Sequence, residues 1–132
     1  ASAMTLKLDP NKKVTAVRDH EDLKALQEEF EDRFGDPPAT VWNMLRLLDL
    51  RLTMREGGIV GLSANQYRVI VRLGRNLRED ERWDIQRRRT RWVVDTAAIE
   101  VAVQTGDALR TSEEAVPRII ADVTGNPNAR RR

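Results

Sequence analysis

A chain of 132 residues, 40% hydrophobic and 33% charged, has the size and composition of one globular domain whose core needs neither disulfide nor metal. The absence of cysteine excludes disulfides, thiolate nucleophiles and sulfur-ligated metals, and suits a reducing cytoplasm. No apolar run approaches the ~18–20 residues that span a bilayer and no signal peptide is visible, so the expectation is a cytoplasmic chain without membrane contact.

The formal net charge of +2 hides an uneven distribution. From Asp19 to Asp36 eight acids face two bases, whereas from Arg68 to Arg91 nine arginines face four acids. Charge separated in this way predicts two different faces and two different kinds of partner. Residues 1–4 (ASAM) read as a cloning remnant around Met4, residues 5–124 as a single domain, and residues 125–132 as a disordered basic tail.

Residues 5–18 carry a basic patch in which Pro10 limits early helix. Asp19 is placed to cap a helix over 20–34, with Glu21 and Asp22 complementing the positive end of its dipole. Leu23, Leu26, Phe30 and Phe34 recur at helical spacing as one apolar stripe. Gly35 supplies the left-handed stop. Asp36 and Pro37 then occupy the cap and first position of a second helix, which runs to Glu56 and ends at Gly57-Gly58. That helix carries Val41, Met44, Leu45, Leu48 and Leu52 on one side and Leu47, Leu50 and Met54 on the other, which predicts a central core helix.

After Gly58 the period changes from 3.6 to 2. The segments IVGL (59–62) and YRVIVRL (67–73) read as a hairpin, with Tyr67, Val69, Val71 and Leu73 facing the core and Arg68 and Arg72 facing out. A polar helix follows, with Asn76 and Glu79 at capping-box spacing. Trp92 and Val94, then Ile99, Val101 and Val103, alternate as a second hairpin. A last helix holds Val116, Ile119, Ile120 and Val123; because Pro117 fits only near a helix start, it is expected to begin around Val116. The predicted fold is α+β: an N-terminal helical hairpin packed on a small antiparallel sheet of two β-hairpins, with an intervening and a C-terminal helix.

Catalytic constellations are scarce. His20 is the single histidine and reads as a solvated surface residue, so no histidine-based triad or two-histidine metal site exists within the chain. Neither GxxxxGK[ST] nor GxGxxG occurs. The expectation is a non-enzymatic domain without cofactor or metal. The arginine-rich segment 68–91, interleaved with Tyr67, Trp83 and Trp92, supports one binding hypothesis: Arg72, Arg75, Arg82, Arg87, Arg88 and Arg89 as contacts of a small nucleic-acid-binding module. The plainer reading is a solvated face with Trp92 turned into the core.

The stretch LKALQEEFEDRFGDPPATVWNMLRLLDLRLTMREGGI resembles the C-terminal domain of the bacterial transcription-repair coupling factor (Mfd). Glu29, Asp32, Arg33, Phe34 and Gly35 match the family's E-L-x-D-R-F-G, Pro38 its proline, Leu47, Leu48, Leu50 and Arg51 its second helix, and Gly58 and Ile59 the end of that helix. RWVVDTAAIEVAV is similar to its final hairpin. The resemblance implies a regulatory, autoinhibitory domain. It would fold back on the N-terminal UvrA-binding module of the parent translocase, compete with UvrA, and restrain ATPase and translocase activity until RNA polymerase is engaged on DNA. The family's motor motifs do not occur in these 132 residues. Within the resemblance, Glu29 and Asp32, with Glu28 beside them, are the expected docking acids.

Overall fold

The computed structural model describes residues 17–125. The expected remnant 1–4, most of the basic patch and the tail beyond Gly125 lie outside them. The described residues fall into two compact units, one ending at Leu52 and the other starting at Thr53.

The first unit is a helical hairpin. Helix α1 spans His20–Phe34; Asp19 accepts the Asp22 N–H at 2.8 Å, and the Gly35 N–H closes the last turn on Glu31 O at 2.8 Å. Gly35 takes φ +70°, a region that side chains disfavour. Helix α2 spans Ala39–Glu56. It therefore starts two residues after Pro37 rather than at it. Pro38 bars its predecessor from helical backbone angles, so Pro37 stays outside the helix and Pro38 O accepts the Trp42 N–H at 3.0 Å. Leu23, Leu26 and Phe30 of α1 pack with Val41, Leu45 and Leu52 of α2, with Val17, Met44 and Leu48 at the margin. Burying each such side chain contributes about 1.5–3 kcal/mol. Phe34 departs from the expected stripe and is 59% exposed. On the second stripe of α2, Leu50 is buried and Leu47 is exposed.

The second unit holds a four-stranded antiparallel sheet in the order β1-β2-β4-β3, made of β1 (Ile59–Ala64), β2 (Arg68–Leu73), β3 (Val93–Val94) and β4 (Ala98–Ala102). Helix α3 (Glu79–Arg88) separates the hairpins, and helix α4 (Ala108–Val123) follows them. Val69, Val71, Leu73, Ile99 and Val101 line the buried face of the sheet, and α4 packs against β2 and β4 with Val116 and Ile119 fully buried.

Four expectations change here. Tyr67 is 68% exposed because the turn takes it: Asn65 Oδ1 accepts both the Tyr67 and Arg68 N–H groups, at 2.8 and 2.9 Å. Trp92 stays half-buried, with the Arg89 guanidinium 4.9 Å from its ring centroid. Helix α3 is capped at Arg78 rather than Asn76, the Glu81 carboxylate accepting the Arg78 N–H at 2.9 Å. Helix α4 starts eight residues before Val116 and carries Pro117 in its interior. Asp107 caps it through the Arg110 N–H at 3.0 Å, and burial of Val116 and Ile119 outweighs the ~3 kcal/mol that an internal proline costs.

Gln86 closes one end of the sheet. Its Oε1 accepts the Val94 N–H at 2.9 Å, while its Nε2 donates to Trp92 O at 2.6 Å and to Arg89 O at 3.1 Å. The amide thus occupies the edge of β3 and the C-terminus of α3 together.

Candidate functional site

The acids of α1 were expected to form a docking face, and helical geometry fixes where they lie. At 100° per residue, Glu28, Glu29 and Asp32 cluster within about a third of the circumference, with Glu28 and Asp32 on the side away from Leu23, Leu26 and Phe30 and Glu29 on the flank of that stripe. Glu28 and Asp32 are exposed, and Glu29 is half-buried with Arg33 Nη2 at 3.7 Å, one turn away. At that distance and exposure the pair holds little energy, on the order of 0.3–0.5 kcal/mol. Across residues 17–52 nine acids face five bases, so this unit is net negative. His20 is exposed, as expected, with its Nδ1 2.9 Å from the Asp49 carboxylate of α2.

Where α1 turns into α2, Phe30, Phe34, Asp36, Pro37, Pro38 and Val41 line a groove of about 230 Å³. The Phe30 and Phe34 rings lie 5.9 Å apart at 35°, within the range of favourable aromatic pairs. The groove was not foreseen, because Phe34 has the spacing of a core residue.

The six arginines considered for nucleic-acid contact all have partners inside the fold. Arg72 donates to Ser63 Oγ at 3.3 Å and Arg82 to Thr96 Oγ1 at 3.1 Å. Arg75 grips Glu81 with both guanidinium nitrogens, at 2.9 and 2.6 Å, and also donates to Val123 O. The Arg75 hydrogen bonds, reinforced by the Arg78 N–H, hold the Glu81 carboxyl at about 2, well below the usual carboxylate range. The same contact raises Arg75. Arg87 pairs with Asp84 at 3.2 Å yet is 80% exposed.

Arg88 and Arg89 converge on one acid. Asp122 in α4, its side chain fully enclosed, receives Arg88 Nη1 at 3.1 Å and Arg89 Nε at 3.0 Å. Arg88 also reaches Asp84 at 3.1 Å. Burial opposes the charge on Arg88, but its hydrogen bonds to Asp122 and Asp84 outweigh that cost and raise its pKa. The sequence signal for this clamp is an acid set three residues after Ile119, on the helix face that also buries Val116, Ile119 and Val123. Over residues 53–125, twelve arginines face eleven carboxylates, so the arginine-rich unit is close to neutral.

Among the described residues no group of three or more His, Asp or Glu side chains is arranged to hold a metal ion. No described helix is long and apolar enough to cross a membrane. A comparison with curated protein sequences finds no match. The TRCF domain model matches residues 2–83, a span covering the helical hairpin, the first β-hairpin and the start of α3. With more than half of its length matched, the chain belongs to the TRCF domain family, the domain of transcription-repair coupling factors.

Proposed function

We propose that this chain is a non-catalytic, autoinhibitory docking domain of a transcription-coupled DNA-repair translocase. It covers the UvrA-binding N-terminal module of its parent protein and restrains the motor until RNA polymerase is engaged. The observation that supports this reading is the acidic face of α1 in a TRCF domain: Glu28 and Asp32 stand together, away from the core and open to solvent, with half-buried Glu29 beside them. A net negative face orients a basic partner and gives a contact that weakens with salt. A tethered partner needs little intrinsic affinity, because the linker supplies effective concentrations in the millimolar range. The arginine segment is a poorer basis for function, since its charges are matched by carboxylates within the same unit and polyanion binding depends on unmatched cations.

Mixing the chain with the N-terminal module at about 50 mM salt tests the reading. Glu29→Arg is expected to weaken binding at least tenfold, and in the full-length factor it should raise basal ATPase activity. Unchanged affinity for both Glu29→Arg and Asp32→Arg removes the acidic face from the interface. In a parallel titration, tight salt-sensitive binding of DNA to the isolated chain would instead favour the nucleic-acid module.

A further inference from the structure

We propose that the groove at the α1–α2 corner is an anchor pocket, taking one branched aliphatic or aromatic side chain from a basic segment of the docking partner. This rests on α1 being the docking helix and adds where the apolar contact is made. Phe34 continues the spacing of Leu23, Leu26 and Phe30, yet its ring lies mostly in solvent instead of in the hairpin core. An exposed aromatic beside two prolines, floored by buried Phe30 and Val41, is an apolar surface that the hairpin itself does not use.

The volume suits one large side chain. About 230 Å³ exceeds the ~150 Å³ apolar cavity that suffices for a benzene ring. The walls are also stiff. Gly35 is pinned to Glu31 O at 2.8 Å, both prolines have fixed φ, and Pro38 O holds the Trp42 N–H at 3.0 Å. A pocket formed in advance loses little conformational entropy when it is filled.

Charge selects the occupant. Asp36 is the one charged side chain in the lining, Glu31 lies one turn before Phe34, and the surrounding unit is net negative. Lysine or arginine beside the anchor is attracted, whereas phosphate backbones and acidic peptides are repelled. A second copy of this chain would set like charge against like.

Calorimetric titration of the N-terminal module into the chain separates the two ideas. Phe34→Ala is expected to weaken binding at least about tenfold, to a similar degree at low and high salt. The Glu29→Arg effect should fade as salt rises. Phe34→Lys, which adds a cation to the pocket mouth, should weaken binding further. Since Phe34 is largely exposed, both variants should melt close to the parent chain. Parent-like binding by both Phe34 variants overturns the pocket while leaving the acidic docking face in place if Glu29→Arg is still impaired. If no variant at either position changes binding, the docking reading falls and the pocket falls with it. Self-association in sedimentation that Phe34→Ala abolishes would assign the groove to a second copy and overturn the proposal.

Discussion

Replacing Asp122 with asparagine tests the clamp between α3 and α4. The substitution keeps the shape of the side chain, removes its charge, and leaves two guanidinium groups facing a neutral amide. Asp122 has no solvent-exposed side-chain surface and receives bonds of 3.1 and 3.0 Å. Hydrogen bonds to charged groups contribute about 1.5–3 kcal/mol each, and breaking a buried ion pair costs about 3–5 kcal/mol. The arginines are partly accessible, however, with 32% of the Arg89 side chain exposed, so they can recover some hydration. The net expectation is a loss of about 2–3 kcal/mol. In urea unfolding followed by circular dichroism, that is a midpoint lower by about 1–2 M at a slope m of about 1.5–2 kcal/mol/M, with the slope unchanged. Replacing all three charges together, with Arg88→Met, Arg89→Met and Asp122→Leu, should recover much of the loss, because an apolar cluster can match a buried triad. A stability for Asp122→Asn within about 0.5 kcal/mol of the parent refutes the clamp.

Three further outcomes are expected. The folded Glu81 carboxyl sits near 2, below its unfolded value of about 4.3, so its stabilisation is present above pH ~4.5 and is lost as pH falls towards 2. After discounting for water around half-exposed Arg75, it is about 1–2 kcal/mol. Glu81→Gln should cost that much at pH 7 and nearly nothing at pH 2.5, as read from urea midpoints. Gly74→Ala should lower stability by about 1–3 kcal/mol, since its Cβ would stand 2.8 Å from Gly58 O and 3.2 Å from Val60 Cγ1; an unchanged melting temperature would show that the β1–β2 margin yields. Pro117→Ala should stabilise the chain by about 1–2 kcal/mol. It restores an N–H to the middle of α4 at an exposed position, offset by greater freedom of the unfolded chain, and a lower melting temperature would contradict the account of that helix.

What could be read from the residues alone followed local rules. Asp19, Gly35 and the Gly57-Gly58 pair mark helix ends by backbone chemistry that neighbours rarely override, so α1 and the end of α2 fell where expected. Alternation in β2 and β4 survived for the same reason. Tertiary context decided the rest. Pro117 argued against an interior helical position, and the burial of Val116 and Ile119 prevailed. Phe34 had the right period for the core, but α2 does not cover it. The acidic face was visible as a pattern, whereas the groove depends on two helices meeting at a turn. The arginine run looked uncommitted in sequence because its partners, from Ser63 to Val123, lie up to 48 residues away.

The Gln86 amide at the end of the sheet limits how this protein can polymerise. Strand-by-strand growth into a fibre requires a receptive edge at both ends of the sheet, one to accept each new copy and one to present to the next. With β3 occupied by a side chain of its own unit, association through the remaining terminal strand, β1, closes after two copies. Gln86→Ala removes that stopper and would leave both edges of the sheet open to a further strand.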